Sequence, residues 1–215
     1  MKKKLALSAV FFALFLALIL LVTQADVAAI GPQETAIGLS GLNGAVRDGV
    51  GENQALYKVS KLLGYLALLT AAGFAALGAV QWFRRGSLRK VDQAVWALAA
   101  LYAVVAVLYV FFEKVVINYR PVLMTGETRP EASFPSTHTM LFCVILGSAA
   151  LMAGRYLRGQ KYCRGIQIVC VALAALGTLC RFLSGVHWFT DILGGLLISA
   201  ALLLLFSAIL DQCEK

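Results

Sequence analysis

Charged residues are scarce in this chain of 215 residues. They make up 14% of it, against 60% hydrophobic residues, and the mean hydropathy is +0.82. A soluble domain has nearer a quarter of its residues charged, and a chain this apolar could not cover its own surface in water. The composition excludes a disordered chain, collagen, a coiled coil and a secreted disulfide scaffold, which leaves a polytopic membrane protein.

Cysteine is also sparse, with five residues that show no ligand pattern. No Cys-x-x-Cys pair and no Cys/His spacing typical of a zinc site occurs, so we expect no metal site built on cysteine. Internal repeats, low-complexity tracts and linkers are lacking as well. We therefore expect a single domain over residues 1–215, with its cysteines as inert thiols.

Long apolar runs are what the sequence has instead, and each approaches the ~20 residues that a membrane-spanning helix requires. None alternates as a transmembrane β-strand would. The six predicted spans are residues 5–22, 57–83, 91–112, 136–157, 165–183 and 188–210. The length of the first run and the spans that follow favour an uncleaved helix over a signal peptide cleaved near Ala25.

A polar, glycine-rich stretch, residues 23–56, separates the first two spans. Leu39, Leu42, Val46 and Val50 recur there at helical spacing, but the interspersed glycines weaken the helix prediction. Two interpretations remain: an ordered loop, or a short amphipathic helix on the membrane surface that guides a lipid toward a site.

Basic residues are concentrated in the loops after the second and fourth predicted spans. They are Arg84, Arg85, Arg89, Lys90, Arg155, Arg158, Lys161 and Arg164. Because positive charge stays in the cytoplasm, we expect these loops and both termini inside, with the loops near 23–56, 113–135 and 181–190 outside. The net charge of +8 is therefore an orientation signal, and we expect no nucleic-acid partner.

Ionisable residues gather at the predicted outer ends of the helices. They include both histidines of the chain, His138 and His187, and the cations Lys114, Arg120 and Arg181. Each alone has a structural explanation, such as a basic side chain that snorkels to the interface. Together, in a protein that otherwise avoids charge, they indicate a functional site.

His187 and Asp191 are four residues apart, which places them on one face of a helix. The carboxylate can accept a proton from one imidazole nitrogen, which fixes the tautomer and leaves the other nitrogen as a nucleophile. Arg181 lies six residues before His187, across a short turn. Because its guanidinium offers planar, paired donors, it suits a phosphate held at His187.

The run Pro135-Ser136-Thr137-His138 predicts a helix start, since proline ends the loop and serine is a good N-cap. Free backbone N–H groups at a helix N-terminus bind phosphate well. His138, in the first turn, would sit over the bound anion, where it could protonate a leaving oxygen.

These residues resemble the signature of the phosphatidic acid phosphatase type 2 (PAP2), or lipid phosphate phosphatase, superfamily. That signature has three parts: Lys-x6-Arg-Pro, Pro-Ser-Gly-His and Ser-Arg-x5-His-x3-Asp. The corresponding segments follow in order at residues 114–121, 135–138 and 180–191. The resemblance extends over roughly residues 57–205 and implies an all-α, PAP2-type bundle of six helices.

Three positions depart from the signature. Thr137 replaces Gly, which adds a side chain beside the phosphate but keeps the backbone donor, and Cys180 replaces an auxiliary Ser. The spacing from Lys114 to Arg120 is one residue short. Either the helix end bulges so that Lys114 still reaches the site, or its role is diminished. The later pair Arg129-Pro130 is the weaker match, because it lies farther from Lys114.

The resemblance implies a role for each residue. His187 is the nucleophile that forms a phosphohistidine, Asp191 orients it, and His138 protonates the leaving group and then activates water. The implied phosphate-binding residues are Lys114, Arg120, Ser136, Thr137 and Arg181. No cofactor is implied, and because fixed cations and amides can stabilise a phosphoryl group, we expect no metal requirement.

An outward-facing site at the surface of the cell membrane implies an amphiphilic substrate, with the bilayer and a lipid phosphate as partners. Residues 42–64 resemble small bacterial members linked to undecaprenyl diphosphate recycling, which ranks that lipid before phosphatidic acid and phosphatidylglycerol phosphate. The oligomeric state is left open. The alternatives are a lipid phosphotransferase of the same family and a catalytically silent scaffold or transporter. A vanadate-dependent peroxidase is disfavoured by the multi-span chain.

Overall fold

The structure, a computed structural model, describes residues 1–124 and 126–213. Six of its helices are long and apolar enough to cross a membrane, which confirms the all-α, six-span prediction. The helices are α1 Lys2–Gln24, α2 Ser40–Val50, α3 Gln54–Arg85, α4 Gln93–Lys114, α5 Thr137–Tyr156, α6 Cys163–Leu183 and α7 Phe189–Gln212. Within the described ranges, β-structure is limited to two isolated bridges.

Burial separates a central helix from peripheral ones. In the most apolar stretch of each helix, 61% of the residues of α5 are buried, against 11% of those of α3. The exposed side chains of α3 are large and apolar, as a lipid-facing surface requires. The main core cluster lies between α1, α4, α5 and α7, with Phe15, Leu98, Met140 and Phe206 fully enclosed. The start of α5, which carries His138, is therefore held on several sides.

Both chain ends lie at the same end of the bundle. Lys4, in the first turn of α1, forms a 2.7 Å ion pair with Asp211 near the end of α7. At the same end, Asp92 lies just before α4 and accepts hydrogen bonds from Arg85, Gln81 and Tyr156 at 2.7–2.9 Å. We call this end the terminal end, and the end that carries the start of α5 the site end.

The stretch between α1 and α3 contains a helix, α2, so the helical interpretation of residues 23–56 is confirmed. Its glycines are tolerated because the buried Asn43 ties the helix to the bundle. The Asn43 amide donates to Gly38 O at 2.8 Å and to Thr190 Oγ1 at 3.0 Å, and its oxygen accepts the Thr190 N–H. These bonds hold α2 against the first turn of α7. Its position on the membrane surface stays a prediction.

The turn between α6 and α7, residues 184–188, packs against the chain segment that joins α2 to α3. Gly185 has a left-handed φ of +69°, and a Cβ there would collide with the carbonyl oxygen of Gly51. The N–H of Asn53 donates to Ser184 O at 3.1 Å. Only glycine allows this close approach, so the chain between α2 and α3 braces the turn that joins Arg181 to His187.

Candidate active site

His187 and Asp191 form a buried pair where the 184–188 turn enters α7. The exposed fraction is 4% for His187 and zero for Asp191, and His187 Nδ1 lies 3.4 Å from Asp191 Oδ2. The same carboxylate oxygen accepts the backbone N–H of Trp188 at 2.9 Å. The Trp188 indole N–H donates in turn to Tyr119 O at 2.6 Å. Asp191 is thereby held in place to orient the imidazole.

The surroundings of the His187 imidazole favour its neutral form. Burial, together with the positive charges of Arg120 and Arg181, holds the pKa of His187 well below its ordinary value of 6.5. Both ring nitrogens are buried and neither makes a hydrogen bond with a described residue, although Nδ1 lies 3.4 Å from Asp191 Oδ2. A proton on Nδ1, beside Asp191, would leave the lone pair of Nε2 free, the state that a nucleophile requires.

Ser136 caps α5 as predicted, and it also ties that helix to α7. Its Oγ accepts the Thr139 N–H at 3.4 Å and the Thr139 hydroxyl at 3.0 Å. Its own N–H donates to Asp191 O at 2.9 Å, so that amide is already committed. The N–H groups of Thr137 and His138 have no acceptor among the described residues. They are the donors that the helix start offers to an anion.

Arg120, Thr137 and His187 border one small cavity of about 10 Å³. Arg120 is oriented by Glu131, whose carboxylate forms an ion pair with Arg120 Nε at 2.8 Å and whose carbonyl oxygen accepts the Arg120 backbone N–H. The cavity has room for about one water molecule. A phosphoryl group therefore requires this region to open slightly, and it would then meet the guanidinium and the imidazole together.

Arg181, at the end of α6, is the largest fully buried side chain, with 1% of its surface exposed. Its Nη1 donates to Ser60 Oγ at 3.4 Å, and its guanidinium carbon lies 5.1 Å from the centre of the Tyr57 ring. Its Nε has no hydrogen-bond partner in the described part of the chain. A buried cation without a facing carboxylate indicates a site for an anion.

Lys114 is the predicted site residue that the structure does not bring into contact with the others. Its side chain is exposed at the end of α4 and makes no hydrogen bond or ion pair with a described residue. The seven-residue step of the family signature leads back from Arg120 to Glu113, which borders the small cavity. One residue on a helix is a rotation of about 100°. The short spacing therefore turns Lys114 away and places an acid where the signature has lysine.

Sequence reasoning missed the contribution of α3. Tyr57, Ser60, Lys61 and Gly64 fall at i, i+3, i+4 and i+7, so they share one helix face. Ser60 and Tyr57 contact Arg181, Lys61 lies over the Tyr57 ring, and Gly64 packs beside His138. Polar residues on one face of an otherwise apolar span were the available signal. Asn118 and Ser133, which lie beside the Asp191 carboxylate, had no comparable signal.

An apolar groove leads away from the site between α3, α4 and α5. Its volume is about 480 Å³, and Thr137 and His138 form its polar end. Leu68 of α3, Tyr109 of α4 and Leu141 of α5 are among the side chains that line the rest. The site is thus open toward the space that lipid would fill and closed by α7 on the other side.

Fold and site together define a six-span membrane protein whose buried histidines and arginines collect at one end. A family model described as the PAP2 superfamily matches residues 90–215, more than half of the chain. The chain belongs to the PAP2 superfamily, and its activity class is that of a membrane phosphatase. Helix α3 lies outside the matched residues.

A solved structure has a similar fold: the crystal structure of the first transmembrane PAP2 type phosphatidylglycerolphosphate phosphatase from Bacillus subtilis. The TM-score is 0.68 and the identity is 19%, over 95% of this chain and 96% of that chain. At this identity the likeness establishes the shared architecture. No curated protein matches the chain.

Proposed function

We propose that this phosphatase hydrolyses the phosphate headgroup of a membrane lipid through a phosphohistidine at His187. The observation that carries the proposal is the buried His187, whose Nδ1 lies 3.4 Å from Asp191 Oδ2 and which borders the same small cavity as Arg120. A neutral imidazole oriented by a carboxylate and surrounded by cations has the composition that phosphoryl transfer requires.

In the first step, His187 Nε2 attacks the phosphorus as the bond from phosphorus to the leaving oxygen breaks. His138 gives its proton to that oxygen, so the lipid departs as an alcohol or as a lipid monophosphate. Arg120, Arg181 and the N–H groups of Thr137 and His138 bind the phosphoryl oxygens. Ser136 contributes the helix start and its hydroxyl, since its amide is bonded to Asp191.

In the second step, water attacks the phosphorus of the phosphohistidine and the P–N bond breaks. The water proton returns to His138, inorganic phosphate leaves, and His187 is regenerated in its neutral form. The cations supply the charge stabilisation in both steps. Such stabilisation is needed because uncatalysed hydrolysis of phosphate monoesters is so slow that enzymes accelerate it by up to ~10²¹-fold. The described residues hold no cluster of three His, Cys, Asp or Glu ligands.

The groove between α3, α4 and α5 supports a lipid as the substrate. It is almost wholly apolar, and its polar end is formed by the predicted proton donor, His138. An acyl or prenyl chain in this groove would place its headgroup at the site end. We infer that undecaprenyl diphosphate is the first candidate, followed by phosphatidic acid and phosphatidylglycerol phosphate, with the site on the extracytoplasmic face.

Phosphate release by the purified protein from a panel of these three lipids tests the proposal. We expect turnover to survive EDTA, because fixed cations take the place of a metal, and phosphorylated protein to be trapped at acid-labile histidine. Turnover restored only by Mg²⁺ would contradict the metal-independent mechanism. Transfer of the phosphoryl group to an added lipid alcohol, in place of water, would identify a phosphotransferase.

A further inference from the structure

One face of α3 is committed to the active site although the helix is otherwise peripheral. Ser60 and Gly64 on this face are buried, and Tyr57 is half-buried. A Cβ on Gly64 would stand 3.4 Å from His138 Cδ2, so the backbone of α3 passes directly beside the proton donor. Polar side chains of α3 therefore lie within reach of the reacting groups.

Lys61 is the ionised residue of this face. Its ammonium lies 5.7 Å from the centre of the Tyr57 ring, the same ring on which the Arg181 guanidinium stacks at 5.1 Å. Two cations thus share one aromatic side chain next to His138. Lys61 is exposed and makes no hydrogen bond or ion pair with a described residue, so its ammonium can meet an anionic headgroup that approaches this part of α3.

The position of Lys61 associates it with the leaving group. The groove that suits the lipid tail ends at His138, whose proton goes to the leaving oxygen, and α3 forms one wall of that groove. Arg120 borders the opposite, small cavity with His187, where the transferred phosphoryl group belongs. Lys61 belongs to the same helix as this wall and lies one turn before Gly64, which packs beside His138, so we associate Lys61 with the lipid side of the bond that breaks.

We propose that Lys61 binds the phosphate that stays on the lipid when the substrate is a lipid diphosphate. This inference rests on the proposed phosphohistidine mechanism. When the bond between the two phosphates breaks, negative charge develops on the leaving lipid phosphate, and a cation there stabilises that charge. A lipid monophosphate leaves as an alcohol and has no second phosphate for Lys61. Lys61 is thus a residue that selects diphosphates over monoesters.

A comparison of two variants tests the proposal on the purified protein in detergent micelles. Lys61→Met removes the charge, and Lys58→Met is the matched control, because Lys58 is an exposed lysine one turn earlier that makes no ring contact, hydrogen bond or ion pair with a described residue. We expect Lys61→Met to lower kcat/KM for undecaprenyl diphosphate by at least about tenfold. For phosphatidic acid the loss should stay below about threefold, and Lys58→Met should leave both substrates nearly unchanged.

A Lys61→Arg variant keeps the charge and should retain most of the diphosphate activity, which separates loss of charge from loss of fold. An equal loss on both substrates, or no loss on either, would overturn the inference. So would a wild-type protein that does not cleave the diphosphate. If wild-type protein still releases phosphate from phosphatidic acid and His187→Ala does not, the phosphatase mechanism stands and the role of Lys61 alone has failed.

Discussion

The two ends of the helix bundle treat their charged groups in opposite ways. At the terminal end, Asp92 is surrounded by donors from Arg85, Gln81 and Tyr156. At the site end, buried polar atoms stand without partners among the described residues, including Nε2 of His187 and Nε of Arg181. The protein itself satisfies the charged groups at the terminal end, whereas at the site end buried nitrogens of Arg181 and His187 have no hydrogen-bond partner among the described residues.

The difference separates charges that stabilise the fold from charges that are held ready for a ligand. A buried donor or acceptor without a partner costs about 1–3 kcal/mol, and more if it is charged. Few such groups persist in folded proteins unless a function retains them. The hydrogen bond from Ser136 of α5 to Asp191 of α7, and the hydrogen bonds between Asn43 of α2 and Thr190 of α7, hold the site end in this unfavourable arrangement. Substitutions at the two ends should therefore have different consequences.

The largest expected effect follows from His187→Ala. Removal of the proposed nucleophile should lower phosphate release by at least about 10³-fold and abolish the trapped phosphoenzyme together with it. The measurement is lipid phosphate turnover by purified protein with a thermal-unfolding scan alongside. Near-normal turnover by a folded His187→Ala protein would remove His187 from the mechanism.

Arg181→Ala should have the next largest effect, a loss of about 10²–10³-fold in kcat/KM, because a preorganised donor to the phosphoryl group disappears. Arg181→Lys should restore part of the activity, since it returns the charge but not the paired donors. Both variants are compared in the phosphate-release assay after their folding has been checked. A loss of less than about tenfold in a folded Arg181→Ala protein would place Arg181 in a structural role.

Lys114→Ala should lower kcat/KM by less than about fivefold, because an exposed charge interacts with its surroundings by ~1 kcal/mol or less. The phosphate-release assay measures kcat/KM of Lys114→Ala. Arg89→Ala, which removes an exposed cation at the terminal end, is the control. A loss comparable with that of Arg181→Ala would show that Lys114 swings into the site when substrate binds. The family lysine would then be functional despite its spacing.

Asp92→Asn should leave turnover within about twofold while it lowers the free energy of unfolding by about 0.5–1 kcal/mol, because water screens the partly exposed Arg85–Asp92 ion pair. The Arg85 hydrogen bond lowers the pKa of Asp92 from its ordinary value of 3.8. The wild-type stabilisation is therefore complete above that value and is lost as the pH falls through the lower, folded pKa. Unfolding of both proteins at neutral pH and near pH 3 measures this. A large loss of turnover without destabilisation would break the contrast between the two ends.

Much of the fold could be predicted from the apolar runs. All six spans occur, and every predicted end lies within three residues of the observed one, as with residues 5–22 against Lys2–Gln24. Helix ends are the least certain part of such predictions, because polar first and last turns extend beyond the apolar stretch. The cap at Ser136 was also predictable, since a serine between proline and an apolar run has a local reason to cap.

Two contacts could not be predicted in the same way: the packing of α3 beside His138 and the hydrogen bonds of Asn43 with Thr190. Asn43 and Thr190 are 147 residues apart, and neither belongs to a local pattern that predicts their contact. Lys58 and Lys61 are both exposed lysines one turn apart. Only the contact of Lys61 with the Tyr57 ring and the packing of Gly64 against His138 distinguish Lys61 from Lys58. Contacts between distant segments depend on how helices rotate about their axes, which an apolar run does not specify.

Hydropathy and i, i+4 spacing act locally, so the membrane class, the six spans and the pairing of His187 with Asp191 could be predicted from the sequence alone. The packing of the helices was needed to see which cations lie near the histidines. It leaves Lys114 exposed at the end of α4 and brings Gly64 of α3 beside His138. The physical reason is that a rotation of one helical residue, about 100°, moves a charge from a site to its exterior, and only packing between helices sets that rotation.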